Sequence, residues 1–210
     1  MIRVLIVDDH PIVRRGLKQI LSEDSCMAVG EARNSEELFK LIERQDWDIV
    51  VLDITMPEKD GLDALKELKQ KRPKLPVLML SIHPEDQYAV RTLKAGAAGY
   101  LTKASAPEEL VRAIKKTLER GKYISQTLAE KLAFDLENEG NKMLHETLAD
   151  REYQVMLMIA TGKTITKIAK ELSLSVKTVS TYRARILEKM RMKSNAEFTH
   201  YVIKHKLIEW

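Results

Sequence analysis

A single cysteine, Cys26, stands in this chain of 210 residues. No internal disulfide can form, and the chain suits a reducing cytoplasm. Long apolar runs are missing too. None approaches the roughly 20 residues that span a bilayer, and the N-terminus enters a strand pattern with no signal peptide, so a soluble cytoplasmic protein without a membrane partner is expected. There is no internal repeat and no low-complexity tract. Charged residues make up 31% and apolar ones 44%, which suits globular domains, and the length favours two of them over one.

The formal net charge of +4 is unevenly distributed. Residues 1–120 carry 20 Lys and Arg against 20 Asp and Glu, whereas residues 146–210 carry 12 against 7. Within the second region, the stretch 177–193 sets Lys177, Arg183, Arg185, Lys189, Arg191 and Lys193 against Glu188 alone. Such a stretch is either a solvated helix face or a footprint for phosphates.

Short runs rich in Val, Ile and Leu, near 2–7, 27–32, 48–52, 76–81 and 98–101, alternate with helical patterns, the last from about Pro107 to Leu118. This predicts a doubly wound, five-stranded parallel sheet, an α/β fold over residues 1–120. Residues 121–145 read as a linker. It begins with a helix capped by Ser125 and carrying Leu128, Leu132 and Leu136, and then reaches a hinge at 137–141. Residues 146–210 read as four helices, starting near Asp150, Thr164, Ser175 and Ser194, in a helix-turn-helix order. Ala149 offers no capping side chain, so Asp150 is a candidate cap.

In parallel sheets, sites form outside the carboxyl ends of the strands. Asp8 and Asp9 follow the first run, Asp53 the third, Ser81 the fourth and Lys103 the fifth. Singly, each has an ordinary reading, such as a helix cap for Asp8 or a solvated lysine for Lys103. Together they place three carboxylates in one crevice, which calls for a cation, and oxygen-only ligands favour Mg²⁺.

Val7-Asp8-Asp9-His10-Pro11, Leu52-Asp53-Ile54-Thr55-Met56-Pro57, Asp60-Gly61, Ser81, the stretch 95–100 and Lys103 resemble the receiver domain of two-component response regulators, over about residues 1–120. The resemblance implies that Asp53 accepts a phosphoryl group from a sensor histidine kinase. It also implies Mg²⁺ bound by Asp8, Asp9, Asp53 and the Thr55 carbonyl, with Ser81, Lys103 and the aromatic Tyr100 as phosphoryl-binding and switch residues. Thr55 and His83 would set the lifetime of the phosphoryl group. One rival is a metal-dependent phosphatase or phosphotransferase with an aspartyl-phosphate intermediate, but it would place a general acid at position 55, where threonine serves poorly. The other is a constitutive DNA-binding protein whose receiver is only a dimerisation module, which a missing acid or lysine would support; none is missing.

Leu148, Arg151-Glu152, Val155-Met156, Gly162, Ile168-Ala169, Leu172, Thr178-Val179, Ile186 and Lys189-Met190 resemble the LuxR-type helix-turn-helix domain of the NarL/FixJ class. The segments 156–159 and 197–200 resemble the GacA/UvrY subgroup in particular. This implies a phosphorylation-dependent transcription regulator, not an enzyme, that binds double-stranded DNA as a homodimer. Ser180, Thr181 and Ala184 would lie deepest in the major groove. Lys177, Thr178, Tyr182, Arg183, Arg185 and Lys189 would hold phosphates, although Tyr182 fits a half-buried packing role equally well. On the last helix, Phe198, Tyr201, Val202 and His205 form a stripe that the resemblance assigns to dimerisation; the same stripe could be used wholly inside the domain.

Overall fold

The computed structural model describes all residues except 57–59, 83–84, 126–127, 131–142, 206 and 209–210, and leaves aside the side chains at 86, 87 and 146. The chain divides into two compact units, Met1–Leu132 and Ala133–Trp210. No helix among the described residues is long and apolar enough to cross a membrane.

The first unit alternates strand and helix: β1 (Ile2–Val7), α1 (Pro11–Ser22), β2 (Met27–Ala32), α2 (Ser35–Arg44), β3 (Ile49–Asp53), α3 (Gly61–Lys71), β4 (Val77–Ser81), α4 (Glu85–Lys94), β5 (Gly99–Thr102) and α5 (Ala106–Arg120). All pairings are parallel, in the order β2-β1-β3-β4-β5. Every residue of β3 and β4 is buried, as their unbroken apolar runs require when helices cover both faces. Alternate residues Val4, Ile6, Ile49, Val51, Leu78, Leu80 and Leu101 face α1 and α5 through Leu17, Leu21, Leu110 and Ile114. Leu78→Ala at the centre of this layer would cost about 2–5 kcal/mol. Trp47 has a structural role. Its ring lies so close over Gly30 that a Cβ there would sit 2.1 Å from it, and its Nε1 donates to the Leu41 carbonyl at 3.3 Å.

The sheet unit runs past the expected boundary at 120. After α5 stops at Gly121 (φ 78°), the chain returns to the free edge of β5. The Tyr123 amide donates to the Ala98 carbonyl at 2.8 Å, residue 123 bridges Gly99, and its ring joins the buried core. Ser125 caps the next segment as expected, its Oγ accepting from the Leu128 amide at 3.2 Å. Leu132, Leu136 and the expected hinge at 137–141 lie outside the described residues.

The second unit opens with a 3₁₀ turn (Leu144–Thr147), followed by α6 (Asp150–Ala160), α7 (Ile165–Glu171), α8 (Val176–Lys189) and α9 (Asn195–Lys204). Asp150 is not the cap of α6, as the sequence suggested; Ala149 holds that place, with extended backbone and no side-chain cap. The Glu152 carboxylate instead reaches back to the Ala149 amide at 2.9 Å, which is half of a capping box. Helix α7 keeps the opposite half: Thr164 accepts from the Lys167 amide at 3.2 Å, and lysine replaces the returning acid. Ser175 and Ser194 cap α8 and α9 as expected. Gly162 ends α6 at φ 81°, a conformation that costs glycine little.

One further expectation needs correction. Phe198 and Val202 are fully buried. They belong to the face of α9 that packs on α6, together with Val155, Met156 and Ile159 in the core. The spacing of the stripe correctly signalled burial, but the burial lies inside the domain, so these two residues form no dimer surface. Tyr201 and His205 remain half-buried.

Candidate functional site

The carboxyl ends of β1, β3, β4 and β5 lie side by side and carry the expected residues. Asp8, Asp53 and Ser81 are buried to within 1%. Lys103 places its Nζ 2.8 Å from Asp53 Oδ2 and 2.8 Å from Asp8 Oδ2. Its own amide is fixed by the Ser81 carbonyl at 2.6 Å, so β4 positions the lysine's base. The Thr55 amide donates to Asp53 Oδ1 at 3.2 Å, and the His10 amide to Asp8 Oδ1 at 2.8 Å. Arg14 holds the Asp8 carbonyl at 2.7 Å. The peptide bond between Lys103 and Ala104 is trans.

Beneath Asp53, α3 starts unusually close. The Gly61 amide donates to the Ile54 carbonyl at 2.8 Å, and a Cβ on Gly61 would lie 1.9 Å from the Asp53 carbonyl oxygen. Buried Asp60 caps the helix through the Leu62 amide at 3.2 Å. This is a close approach that only glycine permits.

One lysine cannot neutralise three acids. Burial, and then the neighbouring Asp8 charge, push the Asp53 carboxyl up to about 7, against the opposing pull of Lys103. Burial also disfavours charge on Lys103, but Asp53 and Asp8 outweigh it and the ammonium is held above its ordinary value. Ligand atoms of Asp8, Asp9, His10 and Asp53 all lie within 4.8 Å of one another. Buried Asp9 Oδ1 accepts no hydrogen bond. A divalent cation fits this donor set: it would satisfy that oxygen and supply the missing positive charge.

In the second unit, α7, a turn through Ser173 (φ 54°) and α8 form the helix-turn-helix. Val179 and Ile186 anchor α8 in the core. Lys177, Ser180, Thr181, Ala184, Arg185 and Glu188 are exposed, all on the opposite stripe.

Two family models match the chain. "Response regulator receiver domain" covers residues 4–115, and "Bacterial regulatory proteins, luxR family" covers 146–202. The response regulator UvrY of Escherichia coli is 37% identical over 209 residues, covering 99% of this chain and 96% of that protein. The response regulator GacA of Pseudomonas aeruginosa is 36% identical over 211 residues, covering 100% and 99%. This chain belongs to the response regulator family. Among solved structures, RcsB from Salmonella enterica serovar Typhimurium, bound to promoter rprA in the presence of phosphomimetic BeF3−, aligns with a TM-score of 0.64 at 26% identity, over 96% of this chain and 98% of that one. Another RcsB–DNA complex aligns at 0.59 and 25% identity, over 99% of both chains.

The response regulator's pocket contains Asp8, Asp9, Asp53, Thr55, Ser81 and Lys103, each where its strand end predicts. Tyr100 is buried on β5. His83 lies outside the described residues. The DNA-facing expectations divide. Lys189 does not project freely: its Nζ lies 2.6 Å from Glu152 Oε2, on a carboxylate side chain that is 4% exposed. Arg183 donates from Nε to Asn195 Oδ1 at 2.7 Å. Thr178 is tied into the cap, its Oγ1 lying 2.8 Å from Ser175 Oγ. Tyr182 is half-buried. Two features escaped sequence reasoning. His10, read only as part of a motif, sits among the acids. Val176, apolar and 47% exposed, opens α8; a β-branched residue at N1 carries no sequence signal beyond its distance from the buried stripe.

Proposed function

We propose that DNA binding by this response regulator is controlled by a phosphoryl group that Asp53 accepts from a sensor histidine kinase in the cytoplasm. An Asp53 oxygen bonds to phosphorus as the phosphorus–nitrogen bond of the kinase phosphohistidine breaks, and the leaving imidazole takes up a proton. Asp8, Asp9, Asp53 and the Thr55 carbonyl are the groups to hold Mg²⁺, which when bound offsets charge between carboxylate and phosphoryl oxygens. Lys103 exchanges part of its double ion pair for a phosphoryl oxygen, and the Ser81 hydroxyl donates to another. Tyr100 completes the switch set. Thr55, whose Oγ1 is buried without a hydrogen bond, and His83 set the lifetime of the phosphoryl group.

The observation that carries this reading is the Lys103 bridge to two buried acids inside a cluster with a charge deficit. Incubation with Mg²⁺ and acetyl phosphate should raise the intact mass by one phosphoryl group. Labelling of Asp53→Asn, or labelling in EDTA, would overturn it.

In the second unit, the reading assigns base contacts to Ser180, Thr181 and Ala184, and phosphate contacts to Lys177 and Arg185, with Thr178, Tyr182 and Arg183 fixing register. A homodimer formed on phosphorylation or on DNA would read half-sites about one helical turn apart. On α9 the surface left for that contact is Tyr201, His205 and Ile203, the last 50% exposed.

A further inference from the structure

Among the described residues, His10 is the one nitrogen donor in the acidic cluster. Its Nδ1 lies 2.8 Å from Asp9 Oδ1 and 3.3 Å from Asp8 Oδ1. The shorter contact is not a hydrogen bond, because buried Asp9 Oδ1 accepts none. Two atoms this close, yet not aimed at each other, have the geometry of neighbouring ligands aimed at a shared third point. Adjacent corners of an octahedron with metal–ligand distances of about 2.1 Å lie about 3.0 Å apart, between the two separations observed. The ring's backbone is fixed by the His10 amide on Asp8 Oδ1 at 2.8 Å and by the Pro11 that opens α1. The side chain is 58% exposed, so it can turn the remaining way without disturbing the core.

We propose that His10 Nδ1 is a metal ligand of the receiver pocket, so that the pocket prefers nitrogen-accepting divalent ions such as Co²⁺ and Ni²⁺ over Mg²⁺. This inference rests on the reading of the pocket as a divalent-cation site. Carboxylates and carbonyls suit Mg²⁺, while one imidazole shifts preference toward ions further along the divalent series, and Mg²⁺ loses little when that imidazole is removed. Coordination through Nδ1 uses the ring form with its proton on Nε2, which leaves the Nδ1 lone pair for the ion.

The test is calorimetric titration of the full chain with Mg²⁺, Co²⁺ and Ni²⁺, for the wild type, His10→Gln and Asp9→Asn. His10→Gln should lower Ni²⁺ and Co²⁺ affinity at least tenfold and change Mg²⁺ affinity less than twofold. In the Co²⁺-loaded wild type, a paramagnetically shifted imidazole resonance should appear that His10→Gln lacks. Asp9→Asn should weaken all three ions. Equal losses for Mg²⁺ and Ni²⁺ in His10→Gln, or tight Ni²⁺ binding retained in it, would overturn the ligand assignment while leaving the divalent site in place. Failure of every ion to bind the wild type would overturn the site itself.

Discussion

Each unit of this regulator sets a lysine against a buried carboxylate, and the two arrangements have opposite effects. In the second unit, Glu152 is matched: Lys189 lies at 2.6 Å and the Ala149 amide at 2.9 Å. The pair ties α6 to the end of α8. In the first unit, Lys103 is shared between two buried acids while Asp9 stands beside them. A saturated pair is a strut; a cluster short of positive charge is a receptor for a cation. The residue types are nearly the same, and only the ratio differs.

The largest expected effect breaks the strut. Lys189→Met leaves Glu152 buried without its cation and should destabilise the second unit by about 4 kcal/mol, seen as easier urea unfolding followed by circular dichroism and limited proteolysis. If Lys189 served only DNA, stability would hold and only binding would suffer. Asp53→Asn should act in the opposite direction, stabilising the first unit by about 3 kcal/mol above neutral pH, since a shift of about three pKa units is worth at most about 4 kcal/mol. The sign follows from proton binding. Between pH 4 and 7 the folded chain keeps a proton on Asp53 that the unfolded chain releases, so wild-type stability falls as pH rises through this window and then levels off. The Asn variant lacks that component, and the difference between the two curves in EDTA measures it.

A smaller effect comes from filling the deficit. Mg²⁺ at ten to a hundred times its dissociation constant should stabilise the first unit by about 1.4–2.7 kcal/mol and leave the second unchanged. Asp9→Asn should abolish the response in thermal melts. Smallest is the effect on DNA. Replacing exposed Lys177 and Arg185 together by Ala should flatten the slope of log K against log salt by roughly 0.9 per lost contact, whereas Arg183→Ala, whose Nε already serves Asn195, should flatten it less. Equal slopes would remove Lys177 and Arg185 from the interface.

The pocket was legible in the sequence because strand ends of a parallel sheet are set by local patterns: an apolar run stops and an acid follows. Asp8, Asp53, Ser81 and Lys103 needed no knowledge of side-chain direction. The DNA-facing set was less legible because charge does not reveal pairing. Lys189 and Glu152 are 37 positions apart, and nothing local announces that they meet. Periodicity likewise showed that Phe198 and Val202 are buried without showing against what. Gly61 depends on an approach of a few ångströms between separate elements, and His10 on the direction its side chain takes toward its neighbours Asp8 and Asp9; neither composition nor spacing encodes these.

The return of the chain to the edge of β5 has a practical consequence for handling the receiver alone. Tyr123 occupies backbone positions on the outer strand that would otherwise be open to pairing with another molecule. Gly99 permits this closeness: a Cβ there would lie 2.5 Å from the Tyr123 carbonyl oxygen. A fragment ending at 120, where composition suggests a boundary, would lose this cover and expose a strand of Gly-Tyr-Leu-Thr. Such a fragment should form sheet-edge aggregates on concentration, whereas one carried past Leu128 should stay dispersed.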